Sequence, residues 1–394
     1  MPTKMAPTTI RNPDLVVAED NKANWNLPDQ RRWGFHNIHK ITRYSLGLRA
    51  PQVMPLKKDI DLRIGNMPEV RRLTGTTLFS AMVVLRGQSI LFETYAPDFG
   101  PKCLHSMQSI TKSNMNLVYG RLIEQGRVDV NKKVSDYLPD IGSGYARATI
   151  QQVLNMDLIN NFKEDYSDPY LFCDNPDATV GYGRQEIAMG WRLPPEGENE
   201  ITCRGFVQSL TSQDVTNTTG EAEYRSPNTD VLGWIAERVS DRPLRDMLVE
   251  IVEAAGIEGT FYISTDRTGT PIVSGGGAMT ARDLARYGQL FVRNGMGVDG
   301  KTFGSPAYFE GTLKQPGPFM PNRNEEVRYS NQVMTNGRWF SHSGYGGQLM
   351  LADPESGVSV AFFSVLENQE AHDEAYFPEM RKMAEEITLL DFGD

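Results

Sequence analysis

The sequence predicts an α+β fold, an α/β sandwich. One antiparallel sheet is flanked by helices, and an all-helical lobe is inserted between its strands. Three observations predict it. Residues 79–95 (FSAMVVLRGQSILFETY) are two β-branched, apolar runs around Arg86-Gly87-Gln88, the pattern of a hairpin with glycine at the turn. Residues 358–366 (VSVAFFSVL) read as a buried strand near the other end of the chain. Between them, helical periodicity dominates. Strands near both ends that meet in one sheet leave the helical middle as a second lobe.

The elements follow in order. Residues 1–70, rich in Pro, Asn, Asp, Lys and Arg, read as an irregular arm with short helical turns, packed across the body so that its aromatics are covered. Residues 71–108 and 230–394 are expected to form the α/β lobe, and 109–229 the helical lobe. Met115, Leu117, Val118, Leu122 and Ile123 recur at near-helical spacing, and Gly126 closes that helix. A short helix starts at Val134 and stops at Pro139. Thr149 caps another over 149–156. Residues 160–200 are polar and aromatic, a composition typical of substrate loops. Asn228 or Thr229 caps a helix whose apolar face is Val231, Leu232, Trp234, Ile235 and Val239. A further helix covers 243–255. Thr280 caps one over 281–294, closed by Gly295, and a terminal helix covers 371–390. The glycines of 275–277 lack the Lys-Ser/Thr of a phosphate loop and read as a tight backbone passage.

Composition narrows the function. A chain of 394 residues with 39% hydrophobic and 23% charged residues has the make-up of a soluble globular protein with a large core. Its net charge of −10 argues against nucleic-acid and anionic-membrane partners. Cys103, Cys173 and Cys203 form no C-x-x-C pair and no zinc pattern, so neither a disulfide framework nor a metal is expected. His36 and His39 have metal-like spacing but no acid or thiol nearby in sequence, which favours packing. No charged-then-apolar leader pattern and no long apolar run is present, so a cytoplasmic protein is expected.

Chemistry concentrates at Ser109 and Lys112. On a helix, residues three apart share a face, with Cβ atoms roughly 5–6 Å apart. A buried lysine loses solvation, its pKa falls from about 10.4, and the neutral amine can take a proton from serine. This is the only Ser-x-x-Lys in the sequence, although the pattern is common by itself. Two further stations lie downstream: Tyr224-Arg-Ser226 in a loop, and His342-Ser-Gly344 in the strand-rich part. Taken singly, Tyr224 reads as a loop aromatic and His342 as a core histidine. Tyr166, Tyr170 and Trp191 either line a cleft or pin their loop to the body.

Together, the three stations resemble those of the serine β-lactamase and penicillin-binding-protein superfamily. The flanks TIQQVLNMDLINNF, YRSPNTDVLGWIAERVS and SGGGAMTARDLARYGQL resemble it too, and the likeness covers about residues 75–390. The stretch 156–169 is most similar to 6-aminohexanoate-dimer hydrolases and lactamase-like carboxylesterases. The resemblance implies a Ser109 acyl-enzyme, no cofactor and no metal, and a small amide or ester substrate. It gives Lys112 and Tyr224 the base and acid roles, in either assignment. It assigns the oxyanion to the backbone N–H groups of Ser109 and Tyr345. It sets His342, Gly344 and Ser226 beside the substrate; Tyr166, Tyr170 and Trp191 are further substrate-contact candidates from the composition of their loop alone.

Ser226 stands where relatives have Asn, and His342 where penicillin-recognising members have Lys. Both departures count against a β-lactamase or DD-peptidase. A largely neutral His342 would be a weak anchor for a substrate carboxylate. No glutamate stands out as a dedicated deacylating base. A reading of another class is a retired hydrolase serving as a binding or scaffold protein. The intact Ser109, Lys112 and Tyr224 oppose it. The long N-terminal arm is compatible with a homodimer.

Overall fold

The structure, a computed structural model, describes residues 24–42, 44–166, 180–195, 197–321 and 326–393. Its frame is an eight-stranded sheet. From edge to edge the strands are Lys57–Lys58, Ser89–Tyr95, Phe79–Arg86, Val358–Ser364, Gln348–Asp353, Phe340–Gly344, Val333–Thr335 and Arg328–Ser330. Every pairing is antiparallel except the short Lys57–Lys58 edge. The expected hairpin forms around Gly87, whose φ is +55°. It then pairs directly with the late strand, Val360 opposite Val84 and Phe362 opposite Met82. All seven residues of Val358–Ser364 are buried, so both faces of the sheet are covered there. That explains why this segment reads as a continuous apolar run rather than an alternating one. The helices Ala281–Val292 and Tyr376–Thr388 pack on the sheet.

A second, four-stranded antiparallel sheet has the order Ser45–Leu48, Phe261–Ser264, Gly277–Met279, His105–Ser106. Its last strand delivers the chain to the Ser109 segment. The helical middle includes Ser113–Glu124, Ile150–Leu154, Cys203–Ser209 and Ser226–Ser240. Thr149 caps Ile150–Leu154 with Gln152 in a reciprocal box, and Thr280 caps Ala281–Val292 by accepting from Asp283 N–H.

Four expectations need correction. The N-terminal region is not simply an irregular arm. Besides the short helices Arg31–His36 and Ile38–Ile41, it contributes strands to both sheets. Neither strand is long or apolar enough to announce itself. The helix expected to be capped by Asn228 or Thr229 begins at Ser226, because Pro227 sits in its first turn with φ already set for helix. Asn228 instead accepts from the Tyr145 hydroxyl, and Thr229 donates to Gln332. The terminal helix starts at Tyr376, not 371, because the Asp373 carboxylate accepts from Ala375 and Tyr376 N–H. Finally, Ser109 and Lys112 do not lie on an α-helix. They occupy the 3₁₀ helix Gln108–Lys112, and the α-helix starts at Ser113.

Candidate active site

The 3₁₀ turn brings the two key side chains closer than an α-helix would, because with three residues per turn positions i and i+3 eclipse. Lys112 Nζ lies 2.8 Å from Ser109 Oγ and donates to Ser274 O at 2.5 Å. Gln108, just before the serine, is held in the left-handed region at φ +46°, a strained position that packing must enforce. Lys112 is fully buried. Burial pulls its pKa down to about 8, against the opposing fields of Glu164 and Asp230. A neutral amine here donates to Ser274 O and offers its lone pair to the Ser109 hydroxyl.

Tyr224 completes the cluster. Lys112 Nζ lies 5.0 Å from its ring centroid. Its buried hydroxyl meets hydrogen-bond geometry with no partner among the described residues, although Ser109 is near enough to oppose the rise in its pKa. Burial dominates and holds that pKa well above the usual phenol range, so the phenol stays protonated.

A cleft of about 790 Å³ opens over Ser109. Tyr166, Tyr224, Ser343, Gly344 and Tyr345 line it together with the serine. Met320, Met334, His372, Phe377 and Arg381 also line it. The strand Phe340–Gly344 packs against the nucleophile turn. A Cβ on Gly344 would meet Met107 O and Gln348 Oε1 at 2.6 Å, so only glycine lets the two approach.

Three expected substrate contacts are corrected. His342 is fully buried. It donates from Nδ1 to Ser343 O at 2.7 Å and accepts from the Tyr329 hydroxyl at Nε2, 3.2 Å away. Burial, with Lys112 adding to it, lowers its pKa to about 3. A neutral imidazole beneath the cleft floor cannot anchor a carboxylate; it orients Tyr329. Ser226 is also buried, and its hydroxyl donates to Glu164 at 2.6 Å. Trp191 is the loop pin rather than a cleft wall. It donates to Ser264 Oγ and stacks edge-on with Trp25. Tyr170 lies outside the described residues.

Two residues were missed. Glu164 accepts from Ser226 N–H, Ser226 Oγ and the Tyr166 hydroxyl, and its field reaches Lys112. Its only sequence signal is its place two residues before Tyr166. Ser343 lines the cleft with a hydroxyl that has no hydrogen-bond partner among the described residues. Its place between His342 and Gly344 was the available signal. Among the described residues, no three His, Cys, Asp or Glu side chains converge to hold a metal ion.

The sequence matches the beta-lactamase family over residues 79–381. The chain belongs to the beta-lactamase family. Within it, a 6-aminohexanoate-dimer hydrolase of Paenarthrobacter ureafaciens is 30% identical over 295 residues, 74% of this chain and 72% of that one. A solved structure from Bacillus anthracis, of a protein proposed to be a 6-aminohexanoate-dimer hydrolase, superposes with a TM-score of 0.76. It is 20% identical and covers 94% of this chain and 97% of that one. A family VIII carboxylesterase superposes at a TM-score of 0.56 with 14% identity, over 87% and 99% of the two chains. As a beta-lactamase-family member the chain is a serine hydrolase, and the chemistry of that class is cleavage of an amide or ester bond. Among the described residues, no helix is long and apolar enough to cross a membrane.

Proposed function

We propose that this chain hydrolyses an amide or ester bond of a small linear substrate through a Ser109 acyl-enzyme. One observation carries the reading: a fully buried lysine amine 2.8 Å from a serine hydroxyl, its pKa brought down to about 8. Ser109 Oγ attacks the carbonyl carbon while its proton passes to Lys112 Nζ. The carbonyl π pair moves onto oxygen, which the backbone N–H groups of Ser109 and Tyr345 receive. Collapse re-forms the carbonyl and breaks the bond to nitrogen or oxygen. The leaving group takes the Tyr224 proton, and the Lys112 ammonium restores it. Water then repeats the sequence on the acyl-enzyme. The raised Tyr224 pKa supports this assignment over a phenolate base.

The 30% identical relative is named for an amide dimer, which supports linear amides as the first substrates to test. The wall of Met320, Met334 and Phe377 suits an apolar chain. We assign Gly344 and Tyr166 to substrate contact. We propose two lobes near the expected 71–108 with 230–394 and 109–229, with the second boundary moved past Ser240 because 229/230 would cut the helix Ser226–Ser240, and the strands Ser45–Leu48 and Lys57–Lys58 added to the sheet-bearing lobe. We place the protein in the cytoplasm. A homodimer is the assembly reading, supported by Trp33 and Leu62, exposed by 45% and 75% in the N-terminal region. Light scattering tests it. β-Lactam hydrolysis is the second reading, favoured by the family match and opposed by Ser226 turning away to Glu164. A panel of linear amides, p-nitrophenyl esters and nitrocefin, with wild type and Ser109→Ala, decides. Turnover of amides or esters that Ser109→Ala abolishes supports the proposal. Nitrocefin turnover alone supports the second reading. Undiminished turnover by Ser109→Ala refutes both.

A further inference from the structure

The segment 24–42 lies outside the residues matched to the family, and the mechanism above does not use it. Yet it packs against the back of the turn that carries Tyr345. Asn26 Nδ2 donates to the Tyr345 hydroxyl at 3.3 Å. The Arg31 guanidinium lies 5.8 Å from the Tyr345 ring centroid, and Phe35 lies 6.2 Å from it. Phe35 also fills the space beside Gly346, where an added Cβ would meet its ring at 2.6 Å.

Arg31 is fully buried and ties three parts of the chain together. Within the segment it donates to Asn26 Oδ1 at 2.8 Å and Asn26 O at 2.9 Å. Across to the end of the main sheet it donates to Leu366 O at 2.7 Å, Asn368 O at 2.5 Å and Gln369 O at 3.2 Å. That outgoing chain is itself bonded to the Tyr345 turn, Leu366 N–H to Gly346 O at 2.8 Å and Ser364 N–H to Gly347 O at 3.1 Å. Two residues beyond Gln369, Ala371 lines the cleft at a φ of +48°. A rigid planar donor fork inside the protein is a strong geometric constraint, because each carbonyl it holds has one best position. The turn itself is made mostly of glycines, Gly344, Gly346 and Gly347, which supply little stiffness of their own.

We propose that Asn26 and Arg31 are positioning residues of catalysis: the N-terminal segment holds the Tyr345 turn so that its backbone N–H meets the oxyanion on the Ser109 adduct. The inference rests on the oxyanion assignment proposed above. Its functional consequence is that a segment outside the family match completes the site. Arg31 and Asn26 touch no reacting atom, so their loss must appear in transition-state stabilisation rather than in nucleophile reactivity or ground-state binding.

The test compares wild type, Arg31→Lys and Asn26→Ala. Active sites are counted by fluorophosphonate labelling, and kcat and KM for a p-nitrophenyl ester are expressed per labelled site. Affinity for an alkyl boronic acid, which forms a tetrahedral Ser adduct, is measured alongside. Weakening one oxyanion donor costs on the order of 10–100-fold in kcat, below the ~10²–10³-fold for removing one outright. Arg31→Lys is expected to lose that much in kcat and a similar factor in boronate affinity, with KM within about threefold. Asn26→Ala, which keeps the Arg31 bonds to Leu366, Asn368 and Gln369, is expected to lose less in the same two quantities and carries the test if Arg31→Lys misfolds. Unchanged kcat and boronate affinity per labelled site in both variants overturns the proposal alone and leaves a folding role. Absence of wild-type labelling at Ser109 overturns the catalytic reading, and this inference with it.

Discussion

Lys112→Met is predicted to stabilise the protein while abolishing its activity, and the gain has a pH signature that can be calculated. Burial lowers the lysine pKa from 10.5 to about 8. At pH 7 the amine is protonated in the unfolded chain and largely protonated, without solvation, in the folded one. That fall from 10.5 to about 8 corresponds to roughly 3 kcal/mol of destabilisation at pH 7. The unfolded state binds more protons between pH 8 and 10.5, so wild-type stability rises with pH across that window and the penalty fades toward its upper end. At pH 10 the same relation leaves about 1 kcal/mol. Methionine has similar length and no charge. It gives up the bonds to Ser109 Oγ and Ser274 O, worth about 1 kcal/mol each. The net expectation is a variant more stable by about 1 kcal/mol at pH 7. Its advantage over wild type falls by about 2 kcal/mol, changing sign, by pH 10. Urea unfolding of both proteins at the two pH values measures this, and comparing them cancels the titrating groups that do not interact with Lys112; its coupled neighbours Asp230 and His342 titrate at about 7 and about 3, at or below the pH range compared. A wild type more stable than the variant at pH 7 by several kcal/mol, or a difference independent of pH, would refute the idea of a desolvated, catalytically poised amine.

Other predictions concern the same site. Tyr224→Phe should slow acylation by a linear amide about 100-fold but acylation by a p-nitrophenyl ester, read as the rate of the p-nitrophenolate burst, by less than about fivefold, because p-nitrophenolate leaves without a proton whereas deacylation expels Ser109 with the Tyr224 proton in both cases; equal losses in the two acylation rates would remove Tyr224 as the acid. Glu164→Gln removes a carboxylate that raises the Lys112 pKa, so the acid limb of the labelling-rate profile should move below about pH 8; an upward move would contradict the electrostatics. Gly344→Ala should lower stability by about 1–3 kcal/mol through overpacking against Met107 O and Gln348 Oε1 and remove activity with it. A near-wild-type melting temperature and turnover would show that the strand and nucleophile turn are not held so closely.

Much of the frame was legible because it is written in local patterns. The 79–95 hairpin, the run 358–366, and the caps Thr149 and Thr280 each signal within a few residues, and the structure has all four. The Ser109 to Lys112 proximity was also legible, since three residues is one turn of either helix type. What stayed hidden depends on contacts far apart in the chain. Ser45–Leu48 becomes a strand only because Phe261–Ser264 offers it an edge. Arg31 looks like any surface arginine until the carbonyls of Leu366, Asn368 and Gln369 close around it. Contact with the cleft, not burial, separates His342 from Gly344, since every residue of that strand is buried. They are two residues apart on one strand, yet one lies under the floor and the other lines the cleft. Glu164 carries no pattern at all; only the fold brings it to Ser226 and within the field of Lys112.

The central claim is that Ser109 becomes acylated. Intact-mass spectrometry after incubation with a fluorophosphonate, on wild type and Ser109→Ala, tests it most directly. The account predicts a single adduct on wild type, mapped to the peptide containing Ser109, and none on the variant. An adduct of equal extent on Ser109→Ala, or one mapped to another residue, would contradict it.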